Sequence, residues 1–454
     1  MIRSGSTRAI EVRRLVESPD NKQGSALTWG RTRSYDRCVI RGTLAAVALA
    51  LVTAVGPAAA AEKQAYPVGF HSFVLSSGTT SGTQVDKGGG LVLSRSGLST
   101  ITYADPFGYP PRDYQAGTWT SPWLSTGFGF MELVSSWNAD TPAGTWIQVE
   151  MRATAAADGH TTKWYVMGRW AYGEADIHRT SVGGQGDKDG YIAIDTFVPK
   201  NPMSAYQLRL TLYRAAGTSA TPRVTRIGAV VSDPVTIKPY APSTTTMTQT
   251  VELAVPRYSQ EIHKGEYPQF DNGGEAWCSP TSTSMVVAYW GRGPAPADYA
   301  YVTQDYPATT DPWVDYAARY VFDYHYNGAG NWPFNTAYAA HFGLESEVTQ
   351  LHSLAEAEQF IKAGIPLVTS IAFNSGKLDG FFFKSTNGHL MVIVGFTADG
   401  NVIANDPASP DDPSVRHVYD RAQFEDAWMS STGGIVYVIH PSSVPLPPSP
   451  GGNW

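Results

Sequence analysis

Between residues 66 and 240 the chain alternates hydrophobic and polar positions in short runs. Ile147, Val149 and Met151 interleave with Gln148, Glu150 and Arg152; Tyr206, Leu208, Leu210 and Leu212 interleave with Gln207, Arg209 and Thr211. A period of two places each set on one face of a strand. Gly, Asp and Pro punctuate these runs, and no long amphipathic helix interrupts them, so the pattern predicts a β-sandwich over residues 66–240. Residues 241–250 are low in charge and carry no sustained apolar pattern, and they read as a linker.

Beyond residue 250 the pattern mixes helix and strand. The run Thr281 to Trp290 spaces Met285, Val286 and Tyr289 as on a helix, with Pro280 in the first turn, where its missing N–H costs nothing. Leu354 to Ala363 is an amphipathic helix for which Ser353 offers a cap and Glu356 the capping-box acid, with Gly364 as its stop. Strands are expected over 365–371, 390–396, 402–406 and 435–439, the second and third joined by a turn at Asp399-Gly400. The whole region 251–440 thus reads as α+β. The tail, 441–454, is Pro-rich and is expected to be disordered. No internal repeat is evident.

The first 60 residues differ from the rest. Arg41 leads into the apolar stretch 42–55, followed by Pro57 and a run of alanines, which describes a secretory signal peptide over 1–61 and a secreted protein. The apolar core is too short for a comfortable membrane span. Those 60 residues hold nine Lys/Arg and four Asp/Glu; taking them from the totals of 33 and 40 leaves 24 basic and 36 acidic residues, a net charge of −12. That balance argues against binding nucleic acid or an anionic membrane surface. It also removes Cys38, leaving Cys278 without an intramolecular disulfide partner.

Cys278 falls at a predicted helix N-terminus, where the backbone dipole and free N–H groups favour a thiolate, and it reads as a nucleophile. A cysteine nucleophile needs a base, a group to orient the base, and oxyanion donors. His389 heads an apolar strand after Gly388, and Asp406 ends the next strand of the same hairpin, so the two become neighbours. Gln260 offers a side-chain amide to the oxyanion, with Gln269 as a rival. Each residue also has a plain structural reading: a buried thiol as a small hydrophobe, a hydrogen-bonded surface histidine, an Asp-Pro turn. The ordered conjunction of all four favours chemistry. No metal or cofactor is called for, since His325, His341 and His352 form no short ligand pair.

The segments around Gln260, Trp277-Cys278-Ser279-Pro280-Thr281-Ser282, Gly388-His389 and Asn405-Asp406-Pro407-Ala408, with the stretch 331–338 and the turn 363–366, resemble the C39-like cysteine peptidases of the papain-like fold group, in their secreted actinobacterial branch. The resemblance covers residues 251–440. It implies Cys278 as nucleophile, His389 as base, Asp406 as orienting acid and Gln260 as oxyanion donor. Ser279 departs from it, standing where many relatives have glycine, and its Cβ is expected to narrow the oxyanion side. No exporter segment follows, so a bacteriocin-processing role is not carried over.

Three functional readings follow. The first is a secreted peptidase acting on a peptide or protein substrate through a thioester. The second is a cell-wall peptide amidase or transpeptidase on the same triad. The third is a non-catalytic protein whose sandwich grips a cell-surface glycan through some of Trp119, Trp123, Trp137, Trp146, Trp164 and Trp170. Against the third, aromatic residues in a sandwich usually fill its core.

Overall fold

The computed structural model describes residues 66–234, 241–374 and 376–454. The expected leader, 1–61, and the end of the sandwich stretch, 235–240, lie outside the described residues. Among the described residues are three seven-stranded sheets whose strand pairings are antiparallel. Two of them, built from strands between Val68 and Ser232, form an all-β N-terminal sandwich. The third, with the helices, forms an α+β region from Val251 to His440.

The alternation read from the sequence becomes the sandwich core. Strand Thr145–Ala155 pairs with strand Met203–Ala215 so that Met151, Val149 and Ile147 lie opposite Leu208, Leu210 and Leu212. All six are fully buried, each worth roughly 1.5–3 kcal/mol of apolar burial. They meet Leu133, Trp137, Val224 and Ile227 from the facing sheet. Trp119, Trp137, Trp146 and Trp170 are buried, as core filling predicts. Trp123 is 42% exposed, and the Arg152 guanidinium lies 5.1 Å from its ring centroid and 4.6 Å from that of Trp164.

Strand Glu132–Asp140 departs from simple alternation: every position from Leu133 to Ala139 is buried. Its inner face fills the sandwich, while its outer face packs on the third sheet. There the Asn138 amide donates to the Ser346 carbonyl (2.7 Å) and accepts from the Ser346 N–H (3.2 Å). These bonds satisfy strand Glu345–Gln350 on the side where the sheet offers it no neighbour. Arg226 reaches across the same seam to Glu345 and Glu347. Phe334, on helix Trp332–His341, stands 5.3 Å from the Trp170 ring.

Two segments are better ordered than their composition suggests. Residues 441–454, expected to be disordered, pack against both halves. The Asn453 amide donates to the Gln350 carbonyl and the Glu356 carboxylate, each at 2.9 Å, Gly452 accepts from the Phe70 N–H, and the Trp454 ring meets Phe360. Proline-rich sequence forgoes backbone donors, but one buried asparagine and one tryptophan supply the anchoring. In the expected linker, Ser243 and Thr246 are held by Glu425 and Glu358, with Arg421 bridging Ser243 and Glu358. At helix Leu354–Lys362 the cap also differs: the Ser353 side chain makes no capping bond, and Glu356 instead accepts from the His352 N–H at 2.8 Å.

Candidate active site

Helix Cys278–Tyr289 runs through the middle of the C-terminal region. Residues 279–287 are all buried, so its small polar residues are packing surfaces and not a solvent face. Ser279 is fully buried with its hydroxyl 2.9 Å from that of Tyr437, so the Cβ expected to crowd the oxyanion side is accommodated inside the fold. Ser282, one turn after Cys278, donates to the Leu390 carbonyl at 3.1 Å. That bond ties the helix to strand Thr386–Phe396 one residue from His389.

The structure brings Cys278, His389 and Asp406 together. Strand Val402–Asn405 pairs with Thr386–Phe396 in the register Val392 to Asn405, which carries Asp406 alongside the start of the histidine strand. His389 Nε2 lies 2.7 Å from Asp406 Oδ1, leaving Nδ1 as the other ring nitrogen, and Cys278 is near enough to the imidazole to help raise its pKa. Phe381 caps the ring edge-on at 5.2 Å. His389 and Asp406 are buried, whereas Cys278 is partly exposed.

Burial opposes a charged imidazole, but the Asp406 carboxylate, and after it Cys278, outweigh that and lift His389 to about 10. Burial would likewise push Asp406 up; the His389 charge and hydrogen bond hold it below the ordinary carboxylate range instead, helped by Tyr419 and the Ala408 N–H. The Tyr419 hydroxyl donates to Asp406 Oδ2 at 2.7 Å. Sequence reasoning missed Tyr419. Its only signal was a tyrosine on strand Arg416–Tyr419, whose pairing with 402–405 is visible only in the fold.

Gln260 stands beside the turn that leads into Cys278. Its Nε2 donates to the Glu275 carbonyl at 2.7 Å and to Glu261 Oε1 at 3.1 Å, while its Oε1 is buried without a partner. Both amide hydrogens are therefore engaged within the loop. The close fit depends on Gly274, where a Cβ would meet the Gln260 carbonyl oxygen at 2.3 Å. Glu261 is half-buried; burial pushes its carboxyl up against the Gln260 hydrogen bond. Gln269 is exposed on the loop beyond.

The family described as Peptidase C39 N-terminal domain matches residues 71–232, and the Peptidase_C39 like family matches residues 252–435. No curated protein matches. A crystal structure of a candidate C39-like peptidase from Bacillus anthracis is 17% identical, covering 42% of this chain and 97% of that one with a TM-score of 0.27. A structure of carbohydrate-binding modules from the β-sandwich superfamily is 13% identical, covering 35% of this chain and 56% of that one with a TM-score of 0.16. No helix among the described residues is long and apolar enough to cross a membrane. With one peptidase C39 domain type matched on each side of residue 240, the chain belongs to the C39-like peptidase family.

Proposed function

We propose that this protein is a cysteine peptidase that cleaves peptide bonds through Cys278, His389 and Asp406. The observation that carries the reading is the buried Asp406–His389 pair, 2.7 Å apart, set against a partly exposed cysteine at a helix N-terminus. An imidazolium held by a buried carboxylate stabilises a thiolate partner. The sulfur attacks the peptide carbonyl, and the tetrahedral oxyanion forms beside the first N–H groups of helix Cys278–Tyr289. Collapse expels the amine, which takes a proton from His389, and leaves a thioester. Water, deprotonated by His389, then releases the acid and regenerates the thiol. Asp406 keeps Nδ1 turned to the sulfur throughout, and Tyr419 keeps Asp406 in place.

Gln260 is the side-chain oxyanion donor in this scheme. One of its two hydrogen bonds ends on the half-exposed Glu261, and that is the bond an arriving oxyanion replaces. Export directed by the alanine-rich leader, which is then removed from the mature protein, belongs to the same proposal.

The test is peptide hydrolysis by the purified protein alongside iodoacetamide labelling. Cys278→Ala should abolish hydrolysis, and labelling should fall on Cys278 and slow in His389→Ala. Gln260→Ala should lower kcat by about 10²–10³ without abolishing it. Undiminished cleavage by Cys278→Ala would remove the proposal. Cleavage of peptidoglycan stem peptides alone would reassign the substrate.

A further inference from the structure

A second cluster of titratable side chains lies behind the Gln260 loop. The 3-10 turn Glu261–His263, which begins directly after Gln260, buries the His263 ring completely. Its Nδ1 is 3.1 Å from Glu266 Oε2 and 2.9 Å from Asp315 Oδ2 on helix Pro312–Val321. The Thr309 hydroxyl is 3.0 Å from the same Glu266 oxygen and 3.5 Å from Nδ1. One nitrogen, two carboxylates and a hydroxyl thus converge on one point.

An imidazole N–H has one hydrogen, and here it is directed at Glu266. Asp315 Oδ2 is closer still, yet neither Asp315 oxygen accepts a hydrogen bond, and the side chain is fully buried. A doubly protonated His263 supplies one positive charge to two carboxylates, and Asp315 is still buried without a hydrogen-bond donor, so the cluster holds more negative charge than its own residues offset. Ligands bound to zinc at about 2.0–2.2 Å in a tetrahedron sit about 3.3–3.6 Å apart; here the nitrogen is 2.9 and 3.1 Å from the two oxygens and all three atoms lie within 4.8 Å of one another, so a small outward shift would admit the ion.

We propose that His263, Glu266 and Asp315, with Thr309 or a water as the fourth ligand, form a structural site for a divalent cation of the zinc type. The imidazole favours zinc over calcium, and the two carboxylates cancel its charge. The cation staples the loop after Gln260 to helix Pro312–Val321. Because the Trp277 ring is 6.1 Å from that of His263, the staple also backs the residue preceding Cys278. The expectation that no metal is called for rested on His325, His341 and His352; the ligands proposed here are a histidine and glutamate three apart and an aspartate far along the chain.

The experiment uses the full mature chain carrying Cys278→Ala, so that the thiol cannot contribute as a zinc ligand. Zinc, manganese and calcium are each added alone, excess metal is removed by gel filtration, and retained metal and Tm are measured. One zinc per chain is expected, with a raised Tm and only weak retention of calcium. Both effects should disappear in Glu266→Gln and in Asp315→Asn. If none of the three metals is retained and Tm does not move, the cluster is a carboxylate pair bridged by a proton, and the proposal is overturned. Neither result bears on whether Cys278 is a nucleophile.

Discussion

At the level of single residues, the proposed chemistry rests on how His389 is held. Its ring is buried, which taken alone would discharge it, yet Asp406 and Cys278 lift it from 6.5 to about 10. A basic group raised in the folded state contributes stability that is fully present below about pH 6.5 and is lost as the pH climbs through about 10. His389→Gln should therefore be less stable than the unsubstituted protein at mildly acidic pH. The gap should close toward about pH 10, as read by urea unfolding at a series of pH values. A gap that stays constant across that range would mean the imidazole is not charged in the fold. The same residue scale shows what sequence reading handles well. Cys278, His389 and Asp406 could be named as candidates because the residues flanking each are local, and the fold sets His389 and Asp406 side by side. Tyr419 and the engagement of Gln260 by the Glu275 carbonyl depend on contacts that no local pattern announces.

At the level of elements, the relation between helix Cys278–Tyr289 and strand Thr386–Phe396 sets where sulfur and imidazole meet. Ser282 supplies the bond between them at the turn next to Cys278. Ser282→Ala should cost about 1 kcal/mol in stability. It should lower kcat more than it changes KM, since it loosens the approach of the proposed base to the proposed nucleophile; steady-state kinetics beside chemical denaturation separates the two. A change confined to KM would show that the bond does not position the pair. The helix itself was legible from its proline and apolar spacing. Its burial on every side was not, because serines and threonines on a helix look like a solvent face until strands pack against them. The closing tail was misread for a related reason: its anchoring lies in Asn453 and Trp454, two residues at the end of an otherwise solvated composition.

At the level of the molecule, sandwich and peptidase region share a desolvated seam. Glu347 is buried there with Arg226 as its cation, and burial, only partly offset by Arg226, raises its carboxyl from 4.5 to about 7. An acid raised in the fold opposes stability as it ionises. The cost is absent below about pH 4.5 and grows until the pH passes about 7. Glu347→Gln should match the unsubstituted protein in Tm at low pH and exceed it above about pH 7. Equal values at both ends would place the ionised carboxylate in a site that already satisfies it. The seam explains why strand Glu132–Asp140 is buried on both faces, and why an alternating pattern alone could not reveal which sandwich face would be covered.

The sequence by itself determined the two architectures and pointed to Cys278, His389 and Asp406 as the proposed nucleophile, base and orienting acid. Period-two alternation, a proline in a first turn and an Asp-Gly hairpin act over a few residues and survive in any context. Only the tertiary structure decided the docking of the two regions, the support of Asp406 by Tyr419, the engaged state of Gln260 and the meeting of His263 with Asp315. Most of those depend on groups separated in the chain sharing one desolvated space, where the strength of each contact is set by what else has been desolvated beside it.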